Sequence, residues 1–334
     1  MITARVVAVV LCTLFAAYLF PGVSAQRAPA TMQPIVGTWQ LSGLERGASG
    51  QPLTRVANPV GMLIQSANGY VIEIVSQAAR PATLNAAEQF MTYQAFWGTT
   101  AVEGNGSMAS YHIDGDLDPG RTGQRFTRSF ERKGKQLVLT DTAVEGRPVM
   151  KTTWERIPEL EALPDWQEPV VGFWQWTSAG LYNAAGTNLR PAYRDASVIV
   201  YTPTGHMAVL YLPPPGRKPF AGPTPTPDEA RTAWQGSVSY YGTYIVQPKS
   251  RTMFHYQLGA ANPTAVGGSF MRNFEVNEPQ VKLIFPPTTL DGQQVRNMLT
   301  LKRLAGVRDM WPDFKRRGAA GGPEGPPLRL RSSV

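Results

Sequence analysis

Between residues 36 and 157 the chain alternates short apolar runs with polar breaks. About eight such runs fall near 36–45, 60–66, 70–76, 97–103, 108–114, 124–131, 136–141 and 149–157. They are rich in β-branched and aromatic residues and bounded by turn signals, which predicts strands. Asn68-Gly69 predicts a tight hairpin, because both turn positions favour positive φ. One short helix is predicted within the set, where Asn85 and Glu88 have capping-box spacing. The pattern returns between 170 and 304. There Thr226-Pro227-Asp228-Glu229 supplies an N-cap, a first-turn proline and a capping-box glutamate.

The recurrence extends to residue identities. Val36-Gly37-Thr38-Trp39-Gln40 returns as Val171-Gly172-Phe173-Trp174-Gln175. Phe96-Trp97-Gly98-Thr99 returns as Tyr240-Tyr241-Gly242-Thr243, and Tyr111-His112 is matched to Phe254-His255. Phe126 to Glu131 returns as Phe270 to Glu275, and Arg156 corresponds to Arg303. Ordered self-similarity of this kind marks a tandem duplication. The expected organisation is a first domain at 35–157, a linker at 158–169, a second domain at 170–304 and a Pro/Gly-rich basic tail at 305–334. Both domains are expected to be all-β, each a barrel of eight antiparallel strands, a size whose interior holds side chains or one small ligand.

The N-terminus changes the expected location. Arg5, the apolar run Val6 to Phe20 and the small residues Val23-Ser24-Ala25 have the form of a cleaved secretory signal over residues 1–25. The run is shorter than the roughly 20 apolar residues of a spanning helix, and no later segment is a candidate. An exported protein, periplasmic or secreted, is expected. Cleavage would remove Cys12, the one cysteine, leaving no thiolate chemistry. The net charge of +8 is spread too evenly for a nucleic-acid footprint.

The Val-Gly-x-Trp openings, the Asn-Gly-Tyr hairpin and Tyr241-Gly242-Thr243-Tyr244 resemble the lipocalin-like domain family of bacterial and fungal proteins. His255, Asn262-Pro263 and Arg272 add to the likeness, which covers roughly 35–157 and 170–304. The first copy departs from it: Phe96-Trp97-Gly98-Thr99-Thr100 lacks the second tyrosine, and Asp118-Pro119 replaces Asn-Pro. The resemblance implies a calycin-type barrel whose lumen binds small apolar molecules. It also implies that Trp39 and Trp174 plug the closed ends, with Arg156 and Arg303 stacked on them.

Alternation puts Arg128 on one face with Phe126 and Phe130, and Arg272 with Phe270 and Phe274. An arginine on an apolar face is either one half of a structural ion pair or a clamp for a ligand anion. His112 and His255 are the obvious acid–base candidates. If the apolar face of each strand is the lumen, both histidines point outward. Phe96, Tyr240 and Tyr244 either line a pocket or fill a core. Too few ligands exist for a metal site, and no cofactor fingerprint is present.

Three functions remain open at this point. The first is an exported protein holding a small hydrophobic or amphipathic molecule in a barrel lumen. The second is a non-redox enzyme of hydratase, cyclase or isomerase type acting on such a molecule. The third is an envelope scaffold without a ligand.

Overall fold

The computed structural model describes residues 34–312, except 82, 105, 144–147, 161–162, 165–166, 193–195 and 214–215. The expected signal segment and the expected tail beyond residue 312 lie outside the described residues.

The first half contains β1 (Gly37–Ala48), β2 (Thr54–Arg55), β3 (Pro59–Gln65), β4 (Tyr70–Gln77) and, after α1 (Ala86–Met91), β5 (Gln94–Val102). It continues with β6 (Met108–Asp116), β7 (Arg125–Lys133), β8 (Gln136–Asp141) and β9 (Pro148–Ile157). The second half contains β10 (Gly172–Asn183), β11 (Asn188–Ala192), β12 (Val198–Tyr201), β13 (His206–Tyr211) and, after α2 (Pro227–Trp234), β14 (Val238–Gln247). β15 (Thr252–Ala260), β16 (Ser269–Asn277), β17 (Gln280–Ile284), β18 (Thr288–Leu290), β19 (Gln293–Ala305) and α3 (Val307–Met310) follow.

In each half, eight strands run antiparallel and the first closes on the last, β1 on β9 and β10 on β19. The strands β2, β11 and β18 are short additions at the rims. The fold is therefore two closed all-β barrels. The eight runs read from polarity in the first copy are its eight barrel strands, and both helix capping boxes form.

At the closed ends, the indoles of Trp39 and Trp174 donate to the Ile35 and Val170 carbonyls. The Arg156 guanidinium lies 5.4 Å from the Trp39 ring centroid and Arg303 lies 4.1 Å from that of Trp174. The preceding glycines are required by this packing. Gly37 has φ +143°, and a Cβ there would come within 2.7 Å of Arg156 Nη1. Gly172 has φ +147°, and a Cβ would come within 2.0 Å of the Ala305 carbonyl oxygen.

A third core lies between the barrels. The outer faces of β3, β4 and β5 (Met62, Ile64, Ile72, Ile74, Ala95, Trp97) pack on Phe173, Val198, Val200, Ala208 and Leu210 of the second barrel. These strands are buried on both faces, which is why β4 and β12 read as nearly continuous apolar runs rather than alternating ones. Leu163 of the linker and Met310 of α3 join this cluster. Polar contacts stitch its edges. The Trp97 indole donates to the Ala196 carbonyl at 2.7 Å, and the Tyr93 and Ser239 hydroxyls are 2.9 Å apart. Arg217 donates to the carbonyls of Asp116 and Leu117, and Arg80 to those of Ala260 and Ala261.

Candidate ligand-binding site

The two lumens are built on one plan and filled differently. Strand pairing supplies the alignment: Gly98 faces Ile113 beside a bulge in the first barrel, and Gly242 faces Gln257 beside the same bulge in the second. Both pairs are 144 residues apart, and so are Arg128 and Arg272. At this offset Tyr111, not His112, corresponds to His255. The residue-identity match of His112 with His255 is one residue out of register, because the Tyr-His and Phe-His dipeptides align by composition but not by pairing.

That slip has a large consequence, since one residue reverses the face of a strand. His112 points outward, 37% exposed, with Nε2 3.6 Å from Asp114. His255 points into the second lumen and is 1% exposed. The expectation that both histidines face outward is corrected for His255. On β15 the inward face carries Met253, His255 and Gln257, whereas Phe254 and Tyr256 are only half-buried.

In the first barrel Arg128 is 2% exposed and fully paired. Its Nη1 donates to Glu73 Oε2 at 2.5 Å and its Nε to Asp141 Oδ1 at 2.7 Å. The guanidinium also lies over the Tyr111 and Phe126 rings, at 5.4 and 5.0 Å, and near Phe96 at 6.0 Å. Burial by itself would lower the Arg128 pKa, but Glu73 and Asp141 more than offset this and raise it. Phe96 belongs to the apolar cluster around this triad.

In the second barrel Arg272 keeps the place and loses the partners. Glu73 faces Phe96, and the matching neighbour of Tyr240 is Val209. Asp141 corresponds to Phe285, whose ring centroid lies 3.8 Å from the Arg272 guanidinium carbon. Arg272 is 8% exposed, and its Nη1 donates to the adjacent Met271 carbonyl at 2.9 Å. Among the described residues no carboxylate pairs with it. Burial lowers its pKa, and only Tyr240 and Tyr201 act in the opposite sense.

Beside it, His255 Nδ1 and the Tyr240 hydroxyl are 2.9 Å apart, and His255 Nε2 and the Tyr201 hydroxyl 3.0 Å. Burial, then Arg272, depress the His255 pKa to about 3, so the imidazole is neutral. One ring nitrogen donates to one tyrosine and the other accepts from the second. Burial pushes Tyr240 up to about 12. Tyr244 lies deeper, its hydroxyl donating to the Thr202 carbonyl and accepting from Gln167.

Arg272, His255 and Tyr240 border a cavity of about 440 Å³ in the second barrel, lined also by Trp176, Ile199, Val209, Leu283, Leu299 and Arg190. Among the described residues that line it are two arginines and no acid. The residues outside the sequence-derived set are Glu73, Asp141 and Tyr111 in the first barrel, and Trp176, Tyr201 and Phe285 in the second. Glu73 carried a signal, a lone acid within Val71-Ile72-Glu73-Ile74-Val75.

A neutral buried histidine makes a pH prediction. Its pKa is lower folded (about 3) than unfolded (about 6.5), so the unfolded chain binds the extra proton as pH falls. Stability is expected to be fully present above pH 6.5 and to decline from there toward pH 3. In His255→Gln that part of the slope should vanish, as read by urea unfolding at stepped pH.

A closed eight-stranded antiparallel barrel around a largely apolar cavity defines a lipocalin-type fold. Residues 171–304 match the sequence model of the lipocalin-like domain. Among solved structures the chain is similar to a point mutant of the fluorescent protein UnaG. The identity is 17%, over 38% of this chain and 99% of that one, with a TM-score of 0.22. It is also similar to a candidate outer membrane protein from Bacteroides fragilis, at 8% identity over 82% of this chain and 99% of that one, with a TM-score of 0.22. No curated protein sequence matches it significantly.

Proposed function

We propose that this is an exported binding protein that holds one small molecule with an apolar body in the lumen of its second barrel, the first barrel serving as support. The observation that carries this reading is the apolar cavity of about 440 Å³ beside Arg272, set against the ion triad in the first barrel. That volume lies in the range of about 300–1,000 Å³ usual for small-molecule sites. Export rests on the form of residues 1–25.

The enzyme reading has one observation in its favour, the convergence of His255 with Tyr240 and Tyr201, the first two at the cavity wall. Their proton affinities argue against it. An imidazole with a pKa near 3 is a feeble base at neutral pH, and a phenol near 12 a feeble acid. The trio suits orientation of a ligand better than proton transfer.

Ala179 of β10 borders the cavity, and Ala179→Trp would fill it. Native mass spectrometry of the protein purified from its own envelope should show one bound small molecule per chain, and anilinonaphthalene sulfonate should fluoresce on the wild type. Both signals are expected to disappear in Ala179→Trp. A wild-type protein that carries nothing, and leaves the dye and a panel of fatty acids, isoprenoids and aromatics unbound, would defeat the carrier reading.

A further inference from the structure

The two barrels differ at the positions that decide what their central arginine meets. Around Arg128 the chain supplies its own anions, Glu73 from β4 and Asp141 from β8. Around Arg272 the same positions hold Val209 and Phe285, and both residues line the cavity. A buried guanidinium without a counter-charge is costly, so a site that retains one is short of an anion.

Resting on the lumen reading above, we propose that the second barrel selects organic acids, the ligand's carboxylate sitting on Arg272 on the Val209 side, where Glu73 sits on Arg128. Arginine presents a planar fork that matches a carboxylate's two oxygens. Tyr240, whose hydroxyl lies 2.9 Å from His255 Nδ1, lines the cavity beside Arg272 and offers a second polar contact for the acid. Apolar walls on the remaining sides call for a hydrocarbon or aromatic body, which separates this ligand from inorganic phosphate or chloride.

The experiment compares matched probes on the full chain by displacement of anilinonaphthalene sulfonate. Dodecanoate is expected to bind at least tenfold more tightly than dodecanol, and inorganic phosphate should displace nothing. Arg272→Met should abolish the preference for the acid while leaving the alcohol bound. Tyr240→Phe should weaken the acid several-fold. Val209→Glu transplants the first barrel's carboxylate into the second, and should pair with Arg272 and exclude the acid.

Equal binding of acid and alcohol by the wild type would overturn the anion site and leave the lumen reading standing. Displacement by phosphate as strong as by dodecanoate would reduce the site to a general anion hole and overturn the proposal. Failure of every probe would remove the lumen reading itself. The acid–alcohol comparison uses only the wild type, so a variant that does not fold leaves it intact.

Discussion

Arg128→Met is expected to destabilise the protein by about 3–5 kcal/mol, whereas Arg272→Met, the equivalent change in the other barrel, should cost about 1 kcal/mol or less. The first substitution strands Glu73, which is 3% exposed on its side chain, as an uncompensated buried charge. The second removes a buried charge that has no ionic partner among the described residues, so lost packing against Phe270 and Phe285 is offset by a smaller desolvation cost. Urea unfolding of the two variants side by side gives the contrast. A triple change, Glu73→Leu with Arg128→Met and Asp141→Leu, should recover much of the loss, because removing all the charges together leaves none unpaired. Equal effects of the two single substitutions would mean that the arginines are equivalent and that the difference in their surroundings has no energetic weight.

The second large effect concerns the wall between the barrels. Residues 168–312 expressed alone are expected to self-associate or precipitate, since Phe173, Val198, Val200, Ala208 and Leu210 would form an exposed apolar face. Within the intact chain, Phe173→Ala removes a fully buried ring and should cost about 3–5 kcal/mol. Size-exclusion chromatography tests the first outcome and thermal or urea unfolding the second. A monomeric, cooperatively folding second barrel would show that the interface contributes little.

Much of the architecture was legible in the sequence because barrel strands carry strong local signals. Asn68-Gly69 announces a hairpin, Gly-x-Trp announces the plugged end, and Thr226-Pro227-Asp228-Glu229 announces a helix start. The interface was written there too, in the unbroken run Val198-Ile199-Val200-Tyr201, but such a run says only that both faces are buried and not against what. The site was less legible for two reasons. Faces were assigned by apolar content, and the inward face of β15 is the more polar one, carrying His255 and Gln257. Register was taken from residue identity, which paired His112 with a residue on the opposite face. Only strand pairing, with its bulges at Gly98 and Gly242, restores the count. The arginines were found from sequence, but their difference was not, because it resides in neighbours distant along the chain, Glu73 and Asp141 against Val209 and Phe285.

The shared wall also bears on how a duplicated domain persists. A second copy that only repeats the first adds nothing and is readily lost. Here the outer surface of each copy is completed by its sibling, so deletion of either exposes the other, whatever ligand either one holds. Retention is thereby uncoupled from binding. In one lumen the arginine is satisfied from within, by Glu73 and Asp141, while in the other it borders a cavity. The two copies are held together by the surfaces outside the barrels and not by the cavities within them.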